Sequence, residues 1–149
     1  MAEVLRRIAQ SEKGQGLVEM ALITPLMLIL LAGIVEAGRA FTAYIQLTNA
    51  AREGVRQAAF TPQDTPTIDS TSRRELPSWV VANIVNVTVT CAGGSSTVYD
   101  NCVTAYPPTS GDKVRVSVAY RYEPIMPVVN DIVTIMEMTM SVQATMQVQ

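Results

Sequence analysis

The chain is 149 residues long, 48% of them hydrophobic, with a formal net charge of −2 and no histidine. One domain's worth of residues with this much apolar content implies a membrane segment beside a small soluble core. Lack of histidine excludes Ser-His-Asp and Cys-His nucleophilic constellations, histidine-held zinc and a neutral-pH imidazole switch, and a slightly acidic chain without a basic cluster argues against nucleic-acid binding.

Met1 to Lys13 is short and polar, with Arg6, Arg7 and Lys13 outweighing Glu3 and Glu12. An apolar run follows from Leu17 to Val35, interrupted by a single charge, Glu19. Its length is close to the ~20 residues of a spanning helix. Beyond it the first charges, Glu36 and Arg39, cancel, so the positive-inside bias predicts a cytoplasmic N-terminus and an external C-terminal part. A full-length span with no small-residue cleavage site behind a short apolar region differs from a secretory signal, and predicts an anchor retained in the mature protein.

Helical spacing continues past the span. Phe41, Tyr44, Ile45, Thr48, Ala51, Val55, Ala58 and Ala59 recur at three- and four-residue intervals, with Gln46, Asn49, Glu53, Arg56 and Gln57 on the wetter side. The pattern predicts one helix from Gln15 to Phe60, stopped by Thr61-Pro62 because proline disfavours helical geometry in the residue before it. Such a helix would be about 69 Å long at 1.5 Å per residue, so roughly half would project from a ~30 Å hydrocarbon core. Pro25 removes a hydrogen bond to the carbonyl of Ala21, which predicts a bend. Gly33, Ala37 and Gly38 form a small-residue patch suited to close helix approach, a spacing also common by chance in membrane segments.

Thr61 to Ser72 reads as a loop, and Ser72-Arg73-Arg74-Glu75 fits a capping box that predicts a short helix over Glu75 to Asn83, with Pro77 in its first turn. Three strands are expected from alternation: Val85, Val87 and Val89; Val114, Val116 and Val118; and Met136, Met138, Met140 and Val142. Tyr120 to Asn130 would connect the last two. An antiparallel sheet laying its apolar face on the projecting half of the helix is the economical solution. The expected fold is therefore α+β, a long N-terminal helix packed against a small antiparallel sheet, divided into a leader 1–14, a helix 15–60 and a head 61–149.

Cys91 and Cys102 enclose a short loop containing Gly93, Gly94, Asp100 and Asn101, turn formers that would let its ends meet. A disulfide and an oxidising compartment are expected; two free thiols are the alternative. The eight methionines read as core filler rather than a metal relay. Asp100, Asn101 and Asp112 read as turn residues rather than calcium ligands, and Asn86-Val87-Thr88 as a chance glycosylation sequon. No catalytic residue, metal or cofactor is expected.

Glu19 is the residue that calls for an explanation, since a carboxylate in hydrocarbon costs about 2.5–3.5 kcal/mol even on lenient scales. Near the cytoplasmic interface a solvated glutamate beside a positive helix terminus is the alternative reading. The segment Lys13-Gly14-Gln15-Gly16-Leu17-Val18-Glu19-Met20, with Thr24-Pro25-Leu26 and Thr48-Asn49-Ala50-Ala51-Arg52-Glu53-Gly54, resembles the TadE-like proteins, type IV pilin-like subunits of tight-adherence (Tad) systems. The resemblance is specific over Lys13 to Ala59, weaker over the C-terminal strands and nearly absent between Thr61 and Asn83.

That resemblance implies cleavage after Gly14 by a membrane aspartyl prepilin peptidase, leaving Gln15 as the first residue and Glu19 one turn on. Met20 stands where major Tad pilins usually carry tyrosine, which favours a TadE-like subunit over a short major pilin. Glycine before the scissile bond lets the backbone approach a catalytic pocket that a Cβ would obstruct. Glu19 could pair with the new amine of Gln15, its own or a neighbour's, so that a subunit out of register would leave the carboxylate uncompensated. The implied partners are other pilin subunits, the prepilin peptidase and the Tad assembly platform, with no nucleic acid. The implied location is the cytoplasmic membrane before assembly and an extracellular pilus, for adhesion or surface motility, after it. A permanently anchored envelope protein whose head binds a ligand or partner is the rival, and an enzyme is disfavoured because no nucleophile-base pair or metal set is present.

Overall fold

Alanine and leucine are the commonest residues from Gly14 to Ala58, and such side chains lose little freedom in a helix. An α-helix of 47 residues, α1, runs from Glu12 to Ala58 and passes through Pro25. The hydroxyls of Thr24, Thr42 and Thr48 turn back along it and donate to the carbonyls of Met20, Gly38 and Tyr44 at 2.7, 2.9 and 2.8 Å. At its end Ala59 N still donates to Val55 O, after which Phe60 and Thr61 both reach back to Gln57 O as Pro62 stops the ladder. The computed structural model describes residues 12–74, 76–103, 108–125 and 138–149.

The chain forms two compact units, one ending at Ala37 and the other spanning Gly38–Gln149. In the first, α1 carries its apolar residues outward, and from Gly14 to Val35 no side chain is buried. In the second, the continuation of α1 buries a stripe of Ala43, Leu47, Ala51, Val55 and Ala58, four or three residues apart. Gly54 marks a close approach. A Cβ there would stand 3.2 Å from Val116 Cγ1 and would collide with Ser72 Oγ.

Two short helices follow. α2, Thr65–Arg73, is capped by Asp64, whose carboxylate accepts from Thr67 N at 3.2 Å, with Pro66 in the first turn. It occupies most of the stretch expected to be loop, because the Asp-Thr-Pro signature starts a helix rather than a turn. The expected capping box is not used: Ser72 lies inside α2, buried, and its hydroxyl donates to Ile68 O at 2.8 Å. Glu75 lies outside the described residues, and the helix expected over Glu75 to Asn83 is reduced to α3, Ser78–Val81. Arg39 of α1 stands 5.6 Å from the ring centroid of Trp79 in α3.

Among the described residues the sheet has four strands rather than three, in the order β2-β1-β3-β4, all neighbours antiparallel. β1 is Ile84–Ala92, β2 Asp100–Asn101, β3 Lys113–Arg121 and β4 Thr139–Gln147. β3 alternates strictly. Val114, Val116, Val118 and Tyr120 are buried while Lys113, Arg115, Ser117 and Ala119 are half-buried on the opposite face. Full burial of each valine contributes about 1.5–3 kcal/mol, which makes β3 the centre of the sheet energetically as well as in order. Tyr120, expected in a connection, belongs to β3 and faces Met140. Met136 and the 126–130 part of the expected connection lie outside the described residues.

Gly111, at φ 93°, adopts a backbone that favours glycine just before β3. There the chain is clasped: Gly111 N donates to Val148 O at 3.0 Å, Val148 N to Asp112 O at 2.8 Å, and Gln149 N to Ala59 O at 3.0 Å, just past the end of α1.

Candidate assembly surface

Gly14 and Gln15 lie within the first turns of α1, and an added Cβ at Gly14 would meet nothing within 4 Å. Glu19 follows one turn later, exposed, and is the lone charge between Lys13 and Glu36. Gln15 Nε2 donates to Glu19 Oε1 at 3.3 Å. This is a contact of the Gln15 carboxamide, distinct from the expected pairing of Glu19 with a new amine at Gln15. Hydrolysis of the Gly14–Gln15 bond would place an amine at Gln15 on the same turn as this carboxylate.

Around Glu19 the helix presents Leu17, Met20, Leu22 and Leu26, each more than 60% exposed. Its most apolar window has a mean hydropathy of 2.3 and is 0% buried, so this helix is long and apolar enough to cross a membrane. Gly33, Ala37 and Gly38 are exposed, and neither glycine has an atom within 4 Å of where a Cβ would stand. In the second unit, α1 goes on exposing Phe41, Tyr44 and Ile45. An exposed apolar helix surface needs lipid or other helices to cover it.

Residues 14–56 match the family model described as TadE-like protein. No curated protein and no solved structure matches the chain. The TadE-like segment coincides with nearly all of α1, including Gly14, Gln15, Glu19, Pro25, Gly33, Ala37 and Gly38. The sheet lies outside the TadE-like segment.

Cys91, at the end of β1, and Cys102, directly after β2, are disulfide-bonded, both buried, with Cα atoms 5.0 Å apart. The bridge holds the pairing of Cys91 with Asp100 and of Thr90 with Asn101 that defines β2. Beside it, the ring of Tyr99 lies 3.6 Å below the guanidinium of Arg115.

Asp112 is buried and acts as a loop fastener. Its carboxylate accepts from Gly94 N at 3.2 Å and from Thr109 N and Oγ1 at 2.8 and 2.9 Å. Asn101 Oδ1 accepts from Val103 N at 2.8 Å. Among the described residues no group of three or more acidic, cysteine or histidine side chains is placed to hold a metal ion.

Among the described methionines in and beside β4, Met140 packs on the core as expected, whereas Met138 and Met146 are each 41% exposed, because β4 is the last strand among the described residues. An open groove of about 800 Å³ runs beside β4, between Asn49, Arg52 and Arg56 of α1, Thr71 of α2, and Gln143 and Thr145. Sequence reasoning passed over this edge. Its signal was the absence of any charge, proline or glycine from Thr139 to Gln147.

Proposed function

We propose that the protein is a structural, pilin-like subunit of a Tad-type pilus, cleaved after Gly14 by a prepilin peptidase and assembled through α1. The carrying observation is the lone Glu19, one turn from Gln15 on an otherwise apolar exposed helix, inside the TadE-like segment. A carboxylate there is costly in lipid and becomes favourable when paired with an amine in a low-dielectric setting. Glu19 therefore acts as a register mark: a correctly docked neighbour satisfies it, and a misplaced one leaves it bare.

The segment after α1 forms the head on the outer side of the membrane, in keeping with its buried disulfide and the basic residues ahead of the span. Its partners are further copies or other pilin subunits, the peptidase and the membrane assembly platform. N-terminal mass analysis of sheared surface material tests the reading. Chains beginning at Gln15 in a filament fraction are expected; intact chains confined to membranes would instead make this a permanently anchored envelope protein.

A further inference from the structure

Edge strands are usually protected by charged side chains or proline, because their outward N–H and C=O groups can template pairing with another chain. This sheet does the reverse. Lys113, Arg115 and Arg121 all lie on β3, which has a neighbour on each side, while β4, at the edge among the described residues, has no charged residue at all. Among the described residues β1 is also unpaired on its far side from Ile84 to Val89, since β2 covers only Thr90 and Cys91, and that stretch is likewise uncharged.

The phase of the ladders says which backbone groups are free. Tyr122 N donates to Met138 O at 3.1 Å, and Arg121 N to Asn83 O at 2.9 Å. Antiparallel ladders alternate bonded and non-bonded pairs, so the registers point the backbone groups of Ser141, Gln143, Thr145 and Gln147 away from β3. On β1, past the irregularity between Ile84 and Asn86, they leave those of Val87 and Val89 pointing outward.

We infer that β4 of one copy pairs in parallel with the free stretch of β1 in a second copy. β1 and β4 are both antiparallel to β3 and so run the same way as each other. Copies whose heads share one orientation can align these two edges; that shared orientation rests on the anchoring in the proposed function. Pairing β4 with β4 would require a two-fold axis that reverses one copy against the other.

Parallel strands interlock when an outward-bonding residue faces an inward-bonding one. Thr145 opposite Asn86 and Gln147 opposite Thr88 satisfies this, stops short of β2, and keeps the polar residues on one face. On the other face it brings Met146, 41% exposed, beside Val87, and covers Val85, 57% exposed. A contact this short falls below the ~800 Å² per partner of a stable interface. It forms where a common membrane or filament raises the local concentration.

The test places the photo-cross-linker p-benzoylphenylalanine at Gln147 in the full chain, in membranes of cells carrying a mixture of ordinary and heavy-isotope copies. Mixed heavy–light peptides joining position 147 to the strand 84–92 are expected. Thr145→Pro, which removes an outward N–H and no bond to β3, should reduce their yield at least tenfold, as should Val85→Lys on the opposite edge. Formation of the Cys91–Cys102 bridge verifies that each variant is folded. Links confined to one chain, links from 147 to another β4 or to a different protein, or a yield unchanged in both folded variants would overturn the pairing. Filaments lacking the link overturn this inference alone, and a link retained in chains never processed after Gly14 overturns the pilin reading alone.

Discussion

Gln15 Nε2 reaches Glu19 Oε1 across a single helical turn at 3.3 Å, at the one charged position of an otherwise apolar surface. Under the proposed function, cleavage after Gly14 would add an amine at Gln15, one turn from this carboxylate. Glu19→Leu should therefore insert and be cleaved after Gly14, yet assemble poorly. Glu19→Asp, with its shorter stem, should be intermediate. The ratio of surface filament to processed membrane-bound subunit reads this; wild-type assembly by Glu19→Leu would leave Glu19 an interfacial glutamate without a role in register.

Gly14→Val should block processing while leaving membrane insertion intact, because the peptidase must approach the backbone at this position whereas the apolar span begins after it. Precursor size on a gel, with membrane fractionation, measures both. Normal maturation would remove the main support for the peptidase step.

Replacing Cys91 and Cys102 together by alanine should lower head stability by about 2–3 kcal/mol, the contribution of a short closed loop in the chain-entropy model. Membrane insertion should be unchanged. Thermal unfolding of the detergent-solubilised protein measures the loss, and non-reducing peptide mapping checks the bridge in the parent.

Gly54→Ala sets two effects against each other. Alanine in a helix gains about 1 kcal/mol over glycine, but overpacking costs about 1–3 kcal/mol, and the added Cβ would collide with Ser72 Oγ. Net destabilisation is expected. Adding Ser72→Ala should recover most of it, a non-additive result that denaturant melts of the four proteins would reveal.

Burial pushes the Tyr120 phenol above its usual value near 10; the hydrogen bond with Asn83 and the charge of Arg39 pull it down, and Glu123 adds to the rise. Its folded form thus holds the proton where the unfolded chain has lost it. Head stability should be insensitive to this group below pH ~10 and fall as pH rises from there toward the folded value. Ultraviolet titration compared with Tyr120→Phe should show the Tyr120 phenolate appearing above its usual range, and the substitution should weaken the alkaline fall.

Much of this architecture could be read from the chain because two periodicities run through it. Val87 and Val89, like Val114 to Val118, alternate since one face of each strand is covered, whereas Val85, expected on the same face, sits at the irregularity beside Asn86 and is 57% exposed; Ala43 to Ala58 repeats because one face of α1 is covered. α2 escaped notice because only Ile68 and Ser72 in it are buried, leaving almost no apolar stripe, and its start depends on the local chemistry of Asp64 and Pro66. β2 is only two residues of turn-forming sequence, made a strand by the disulfide next to it. Glu19 stood out by its charge in an apolar run, and Gly14 through the resemblance to the TadE-like proteins. The close approach at Gly54 and the bare edge of β4 depend on which elements become neighbours, something no local pattern encodes.

The clasp that ties Val148 to Asp112 and Gln149 to Ala59 sets a timetable for the protein's birth. β3 needs β4 for one of its two ladders, and the end of α1 is fastened by a residue made ninety positions later. While the ribosome is still adding β4, α1 is complete and free to enter a bilayer, but Val114 to Val118 have only half their final company. The head should stay open and prone to proteolysis until synthesis passes Gln149, so anchoring comes before closure. Chains released before β4 should be membrane-bound yet rapidly degraded.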